Sequence, residues 1–153
     1  AGGVATVDDA AAEPDSAVTV EILSAAAYTV GRTRSLRVPV RDDDTPPTVA
    51  IQPGPGATEA APARFIVSRA GPAAEALTVH LAITETGDML APGDEGATTV
   101  TIPAGAISAT LEVPTDDDTA DEDDSTVTAT LTGAASYAIG APTTASVTVT
   151  DND

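Results

Sequence analysis

Short stretches in which apolar and polar residues alternate with a period of two occur along most of the chain. They lie at 18–22, 36–40, 77–83, 99–102, 109–113, 127–131 and 146–149. Such alternation is typical of β-strands that bury one face, and the Val, Thr and Ile of these stretches fit a pleated surface. Turn-forming Gly, Pro and Asp separate them, and Pro103–Ala106 is predicted to close a hairpin. Because no amphipathic helix pattern is found, the sequence predicts an all-β protein.

The chain contains an internal repeat at an offset of 109 positions. Val4–Asp44 aligns without a gap on Val113–Asp153, and 18 of the 41 aligned pairs are identical. Acids recur together with strand residues, as Asp8/Asp117, Asp9/Asp118, Glu13/Glu122, Asp15/Asp124, Asp42/Asp151 and Asp44/Asp153. The spacing predicts that residues 1–44 are the C-terminal part of one repeat and that residues 45–153 form a complete repeat, as in a tandem array.

The complete repeat is predicted to contain seven strands. They are expected at about 48–52, 63–69, 77–84, 98–102, 108–114, 126–132 and 144–150. Seven short antiparallel strands separated by turns favour a β-sandwich of the immunoglobulin-like kind. Residues 1–44 contain only the last two or three of these strands. Such a piece cannot close a sandwich by itself, and it would leave strand edges and one apolar face uncovered.

The charge of the chain limits which classes of molecule it can bind. It has 24 acids against six bases, all of them Arg, and a formal net charge of −18. Nucleic acids and anionic membrane surfaces are therefore excluded as partners, because both require basic residues. No apolar run approaches the ~20 residues of a membrane span. The absence of Cys excludes disulfides and thiol catalysis. Two explanations of the acidity remain, which are specific cation binding and general solubility in a salt-adapted protein.

The acids are concentrated in two segments next to predicted strands. Asp116–Asp124 has seven acids in nine residues, and Asp151–Asp153 follows the last strand. A loop and a strand end can meet at one end of a sandwich, where clustered carboxylates repel one another. Ca²⁺, which takes ~6–8 oxygen ligands in flexible geometry, relieves that repulsion better than Mg²⁺. The spacing is not that of an EF-hand loop. The alternative is a solvated acidic loop without a bound ion.

Several segments of the complete repeat together resemble a known family. They are Thr58–Glu59, Ala91–Asp94, Ile102–Gly105, Val113–Asp118, Asp121–Asp124 and Val147–Asp153. On these segments the repeat is similar to a Calx-β domain, a β-sandwich of sodium/calcium exchangers and of many bacterial surface proteins. The resemblance covers residues 45–153 as a whole and residues 4–44 as a C-terminal half.

The resemblance implies a set of calcium ligands. They are Glu59, Asp94, Asp116, Asp117, Asp121, Asp124, Asp151 and Asp153. Asp stands at 121 and 124 where the family usually has Glu, and Glu95 stands where it usually has an aromatic residue. In the first copy Val7 and Ala12 replace Asp116 and Asp121. A weaker site is therefore expected there, with the acids that remain: Asp8, Asp15, Asp42 and Asp44.

The single histidine and a cluster of four arginines are the remaining candidates for a functional role. His80 lies on an alternating strand opposite Leu77, Val79, Leu81 and Ile83. It is interpreted as an exposed strand residue and not as a general base, because no Ser or Asp partner is suggested. Four of the six bases, Arg32, Arg34, Arg37 and Arg41, lie within ten residues. They form either a solubilising strand edge beside Pro39 or a docking stripe for an acidic neighbour.

The sequence therefore predicts a non-enzymatic, extracellular module of a bacterial surface protein, in which Ca²⁺ stiffens an array of repeats. Its partners are expected to be neighbouring repeats or copies of itself, with the incomplete segment 1–44 and the arginines as contacts for head-to-tail assembly. Three alternatives remain open: a filament subunit, a salt-adapted sandwich without specific calcium, and a polysaccharide-binding module of a secreted enzyme. The scarcity of aromatic residues, 2% of the chain, argues against the last.

Overall fold

The computed structural model describes residues 3–7 and 12–153, so that Asp8 lies outside the described residues. The chain divides into two compact units, Ala1–Thr45 and Pro46–Asp153, called unit 1 and unit 2 below. The sequence predicted a boundary one residue earlier. The assignment of unit 1 to an incomplete repeat stays a prediction. In the part of the chain that is described, no helix is long and apolar enough to cross a membrane.

The described residues of unit 1 contain one antiparallel pair of strands, β1 (Ser16–Glu21) and β2 (Ser35–Val40). In this pair Val18 lies opposite Val38, and Val20 lies opposite Leu36. Because side chains alternate between the faces of a strand, these four share one face, and Arg37 projects from the other. This arrangement agrees with the alternation in the sequence. The docking role of the arginines stays a prediction.

Unit 2 is a sandwich of two sheets, which confirms the predicted immunoglobulin-like, all-β fold. Its strands are β3 (Thr48–Pro53), β4 (Ala57–Thr58), β5 (Ala63–Ala70), β6 (Leu77–Thr86), β7 (Gly96–Ile102), β8 (Ser108–Val113), β9 (Ser125–Thr132), β10 (Ala138–Ile139) and β11 (Thr144–Thr150). One sheet has the order β10-β3-β5-β8, and the other has the order β4-β11-β9-β6-β7. The two-residue strands β4 and β10 were not predicted, because they are too short to show a period-two pattern.

The connection between β7 and β8 differs from the prediction. Pro103–Ala106 was expected to form a hairpin, but β7 pairs with β6 while β8 pairs with β5 in the other sheet. The segment therefore crosses from one sheet to the other, and the hairpin prediction is wrong. The alternation on both sides of a turn reports two half-buried strands, and it carries no information on whether they pair with each other.

The core of unit 2 is aliphatic, in keeping with the small number of aromatic residues. Its largest fully buried side chains include Phe65 and Ile51 from one sheet and Leu81 and Ile83 from the other. On β5 the odd-numbered residues from Ala63 to Arg69 are all buried. The period-two pattern thus sets which side chains face the core, and it places an arginine on the buried face.

Arg69 fastens the crossover segment to the sandwich. Its side chain is only 7% exposed. Its guanidinium donates four hydrogen bonds to backbone carbonyls: Nε to Ala106 O at 2.9 Å, Nη1 to Glu75 O at 2.7 Å, and Nη2 to Ala73 O at 2.9 Å and to Pro103 O at 3.1 Å. Because a guanidinium has five donors in a rigid fork, one side chain satisfies carbonyls from two separate loops.

Candidate metal centre

Glu59 lies at one end of the unit 2 sandwich, where β4 pairs with the end of β11. Its amide donates to Thr150 O at 3.2 Å, and the amide of Ala60 donates to Asp116 O at 3.5 Å. Ala60 has a φ of 59°, which turns the chain sharply after Glu59. These contacts fix the backbone at Glu59, and the residue is only 4% exposed.

The segment that follows β11 brings further carboxylates to Glu59. Asp151 accepts hydrogen bonds from the amide of Glu122 at 3.0 Å and from the amide of Asp153 at 3.4 Å. The Asn152 side chain donates from Nδ2 to Glu59 Oε2 at 3.0 Å. The loop between β8 and β9 is thereby tied to the end of β11, as the sequence predicted for the two acid segments.

Five acids converge at this end of unit 2, and we call them the acidic pole: Glu59, Asp118, Glu122, Asp151 and Asp153. Carboxylate oxygens of Glu59, Asp118 and Glu122 lie within 4.8 Å of one another, and so do those of Glu59, Asp151 and Asp153. The two groups of three share Glu59. Each offers the hard oxygen ligands that Ca²⁺ prefers, so the chemistry of the acidic pole fits a calcium ion.

The acidic pole is electrostatically unfavourable without a cation. Burial raises the pKa of Glu59, and the negative charges of Asp151, Asp153 and Asp118 add to the increase. Burial also raises the pKa of Glu122, with Asp118 as its strongest like-charged neighbour. By contrast, the hydrogen bond from the Glu122 amide lowers the pKa of Asp151. Among the described residues the one ion pair joins Arg64 to Glu112, and neither of these belongs to the pole.

The pKa shifts predict a pH dependence of the cation-free protein. The pKa values of Glu59 and Glu122 lie above their ordinary value of 4.5, so the folded state binds these protons more tightly than the unfolded state. The free energy of unfolding is therefore expected to increase as the pH falls from 7 toward 4.5. Asp151 has the opposite effect on stability. Its lowered pKa stabilises the folded protein above the ordinary value of 3.8, and this contribution is lost as the pH falls below that value. Denaturant unfolding in a chelator measures both effects.

A double variant, Glu59→Gln with Glu122→Gln, controls for the rest of the chain in that experiment. It is expected to remove most of the increase between pH 7 and pH 4.5, because the neutral amides do not titrate. An equal slope in the variant and in the wild type would contradict this electrostatic account of the acidic pole.

The structure places the predicted ligands in different positions. Glu59, Asp151 and Asp153 come together at the acidic pole. Among the described residues, five predicted ligands belong to no group of three acids within 4.8 Å: Asp94, Asp116, Asp117, Asp121 and Asp124. Asp116 is linked to the turn after Glu59 through its backbone, since its carbonyl accepts a hydrogen bond from the Ala60 amide at 3.5 Å. The ligand roles of these residues stay predictions.

The corresponding acids of unit 1 repeat part of this arrangement. Asp42 accepts hydrogen bonds from the amides of Glu13 at 2.7 Å and Asp44 at 3.4 Å, as Asp151 does from Glu122 and Asp153. The Asp42 amide donates to Asp15 at 3.1 Å. The described residues of unit 1 contain no group of three acids within 4.8 Å. The weaker site that was predicted there stays a prediction.

The structure adds Asp118 and Glu122, which the predicted ligand set omits. The internal repeat contained a signal for both, because Asp118 is identical to Asp9 and Glu122 is identical to Glu13 at the offset of 109. Asp116 and Asp121, which the family resemblance favoured, are replaced in the first copy. A comparison of the two copies selects Asp118 and Glu122, but it also selects Asp117 and Asp124, which do not join the groups around Glu59.

Comparisons with known proteins agree with the fold. No family model and no curated protein matches the sequence. Among solved structures, the apo form of the Calx CBD1 domain has a TM-score of 0.52 at 19% identity, over 69% of this chain and 98% of that chain. CBD12 from CALX1.2 has a TM-score of 0.55 at 17% identity, over 69% of this chain and 45% of that one. The chain shares the Calx CBD fold.

A third structure, the calcium binding domain CBD12 of CALX1.1, gives a TM-score of 0.52 at 19% identity, over 67% of this chain and 44% of that chain. The chain thus matches less than half the length of the two CBD12 structures. At this level of identity the likeness concerns the fold alone. The Calx-β resemblance in the sequence is confirmed to that extent.

Proposed function

We propose that unit 2 binds Ca²⁺ at the acidic pole and that the ion stiffens an extracellular array of such units. The observation that carries the proposal is the meeting of five acids from three chain segments around one buried carboxylate, Glu59. Bringing like charges together raises the free energy of the folded state. A cation that binds only the folded protein offsets this cost and stabilises the fold.

Calcium is preferred to other metals because of the ligand type. The acidic pole offers carboxylates, without His or Cys, and such a set suits a hard cation. Ca²⁺ accepts more protein oxygens and less regular geometry than Mg²⁺. The similar structure of CBD12 from CALX1.1 is a calcium binding domain, which supports the same choice. We propose a non-enzymatic role, in keeping with the calcium binding domain that the fold resembles.

The extracellular, structural role rests on the repeat and on the expected affinity. Calcium outside cells is abundant, so an affinity with Kd of ~10⁻⁴–10⁻³ M is sufficient there. Asp151 and Asp153 of the acidic pole lie just after β11. Their counterparts in unit 1, Asp42 and Asp44, lie just after β2 and close to the boundary between the two units. An ion at this place orders the acids next to the junction and so restricts bending between repeats.

The salt-adapted sandwich without a specific ion is the second candidate, and the overall charge of −18 favours it. The two candidates differ in their response to calcium at constant ionic strength. Specific binding raises the melting temperature of unit 2 in calcium relative to excess chelator. Equal melting in calcium, in magnesium and in chelator would favour salt adaptation.

The geometry also predicts which loop acids matter. Asp118→Asn and Glu122→Gln are each expected to weaken calcium binding by roughly 10-fold or more, because each removes one charged ligand beside Glu59. Asp116→Asn and Asp121→Asn are matched changes in the same loop, and smaller effects are expected from them. Calorimetric titration of the four variants checks this order. A larger loss from Asp116→Asn or Asp121→Asn would favour the ligand set implied by the family resemblance.

A further inference from the structure

One face of the β1–β2 hairpin is apolar and exposed. We call it the hairpin face: Val18, Val20, Leu36, Val38 and Val40. Val20 is 48% exposed, Leu36 is 63% exposed and Val38 is 46% exposed. The residues 109 positions later in unit 2 are Val127, Ala129, Ala145, Val147 and Val149, and all five are buried. An apolar sheet face of this kind is normally covered.

The hairpin has the backbone geometry of the β9–β11 pair. Ser16 lies opposite Val40 in unit 1, and Ser125 lies opposite Val149 in unit 2, so the two registers are identical at the offset of 109. The next hydrogen bond also recurs, from Ile22 N to Arg34 O at 2.7 Å and from Leu131 N to Thr143 O at 2.9 Å. The hairpin is thus already arranged like one part of a sandwich.

Unit 2 shows what covers this face in a complete sandwich. β6 pairs along the second edge of β9, and β3 and β5 of the other sheet pack across from β11. Within the described residues of unit 1, β1 pairs only with β2, so its second edge is free for another strand. That edge and the hairpin face are the surfaces that residues 46–112 cover in unit 2.

Tyr28 also points to a strand equivalent to β6 as the partner of the hairpin. In unit 2 the Tyr137 hydroxyl donates to Thr132 O at 2.5 Å and accepts from the His80 amide of β6 at 3.0 Å. The Tyr28 hydroxyl makes the first bond, to Leu23 O at 2.5 Å. The described residues of unit 1 supply no counterpart of the second bond. Tyr28 is 52% exposed, whereas Tyr137 is 4% exposed.

We infer that the hairpin face and the free edge of β1 form a docking surface for the front half of a repeat, a polypeptide with the strand pattern of residues 46–112. One strand, equivalent to β6, adds to β1 through main-chain hydrogen bonds and donates an amide to Tyr28. A second sheet, equivalent to the one that contains β3 and β5, covers the hairpin face.

A second intact copy of the chain is the less favoured occupant. Each copy has a net charge of −18, so that two copies repel each other. In addition, the strands of unit 2 that would cover the hairpin face are already paired with β9 and packed against β11. A front half that lacks the part equivalent to residues 113–153 has neither disadvantage.

The side chains of the hairpin face also limit which front halves can pack on it. The central pair is Val20 and Leu36 in unit 1, but it is Ala129 and Ala145 in unit 2. The matching occupant therefore presents smaller side chains opposite this pair than unit 2 does, since overpacking a core is destabilising. Val20→Ala with Leu36→Ala converts the hairpin face to the unit 2 pattern.

The test adds a front half to the full chain. Residues 46–112 are fused directly before Val4, and amide hydrogen exchange is measured in the fused and the original protein. Unit 2 is the internal control, because each hairpin amide has a counterpart 109 positions later. Exchange in β1 and β2 is expected to slow roughly 100-fold on fusion, as local opening becomes coupled to a folded sandwich. The Val20→Ala, Leu36→Ala fusion is expected to show at least as large an effect, and Val18→Asp is expected to abolish it.

Two results would overturn the inference. In the first, hairpin amides exchange as fast in both fusions as in the original chain while unit 2 stays protected. In the second, the original chain slows its hairpin exchange as its concentration rises and sediments as a dimer, which assigns the hairpin face to a second copy.

Discussion

Glu59→Gln is expected to abolish the stabilisation of unit 2 by calcium. Both groups of three acids include Glu59, so the substitution removes a ligand from each. At free calcium about 100-fold above Kd, the wild type gains about 2.7 kcal/mol in free energy of unfolding. This corresponds to an increase in melting temperature of roughly 10 °C for a domain of this size. The variant is expected to gain little or nothing.

The same substitution has the opposite effect without calcium. Burial and the charges of Asp151 and Asp153 raise the pKa of Glu59, so its charged form is unfavourable in the folded protein. The neutral amide of Gln removes that cost, and the variant is expected to melt at or above the wild-type temperature in chelator. Glu75→Gln, at an exposed position, is the matched control and is expected to keep the calcium response. A variant that melts lower than the wild type under both conditions would indicate a merely structural role for Glu59.

Arg69→Leu is expected to have the second large effect, a loss of about 3 kcal/mol or more in the free energy of unfolding of unit 2. The variant loses four hydrogen bonds and leaves backbone carbonyls of two loops without their donor. Denaturant unfolding in chelator isolates this effect from calcium binding.

Arg64→Leu provides the matched control, because Arg64 lies on the same strand. Its side chain is 49% exposed and forms an ion pair with Glu112, and such surface pairs contribute about 1 kcal/mol or less. Similar losses from Arg64→Leu and Arg69→Leu would show that the crossover does not depend on the buried guanidinium.

The sequence was sufficient to predict the strands, because alternation reports directly which residues face a core. The seven long strands of unit 2 lie where the pattern predicted them, and the fold class is confirmed. The prediction that Pro103–Ala106 closes a hairpin was wrong. The strands on its two sides join different sheets, and the alternation pattern does not show which sheet a strand joins. The signal for Arg69 was present as an arginine at an inward position of β5. The carbonyls that it binds come from loops and could not be predicted.

The candidate site was predictable in location but not in every member. Asp151 and Asp153 follow a strand and were expected to meet a loop at one end of the sandwich. Which of the seven acids in Asp116–Asp124 reach Glu59 depends on local turns, such as the bond from the Ala120 amide to Asp118 at 2.7 Å. A dense acidic run contains no period that reveals such turns, and the identity of the two copies reduces the seven acids only to four: Asp117, Asp118, Glu122 and Asp124.

Calorimetric titration of calcium into the purified chain at constant ionic strength tests the central claim most directly. The account predicts a saturable, stoichiometric heat that disappears in Glu59→Gln and persists in Glu75→Gln. A titration without saturable heat, or one in which Glu59→Gln binds calcium as tightly as the wild type, would contradict it.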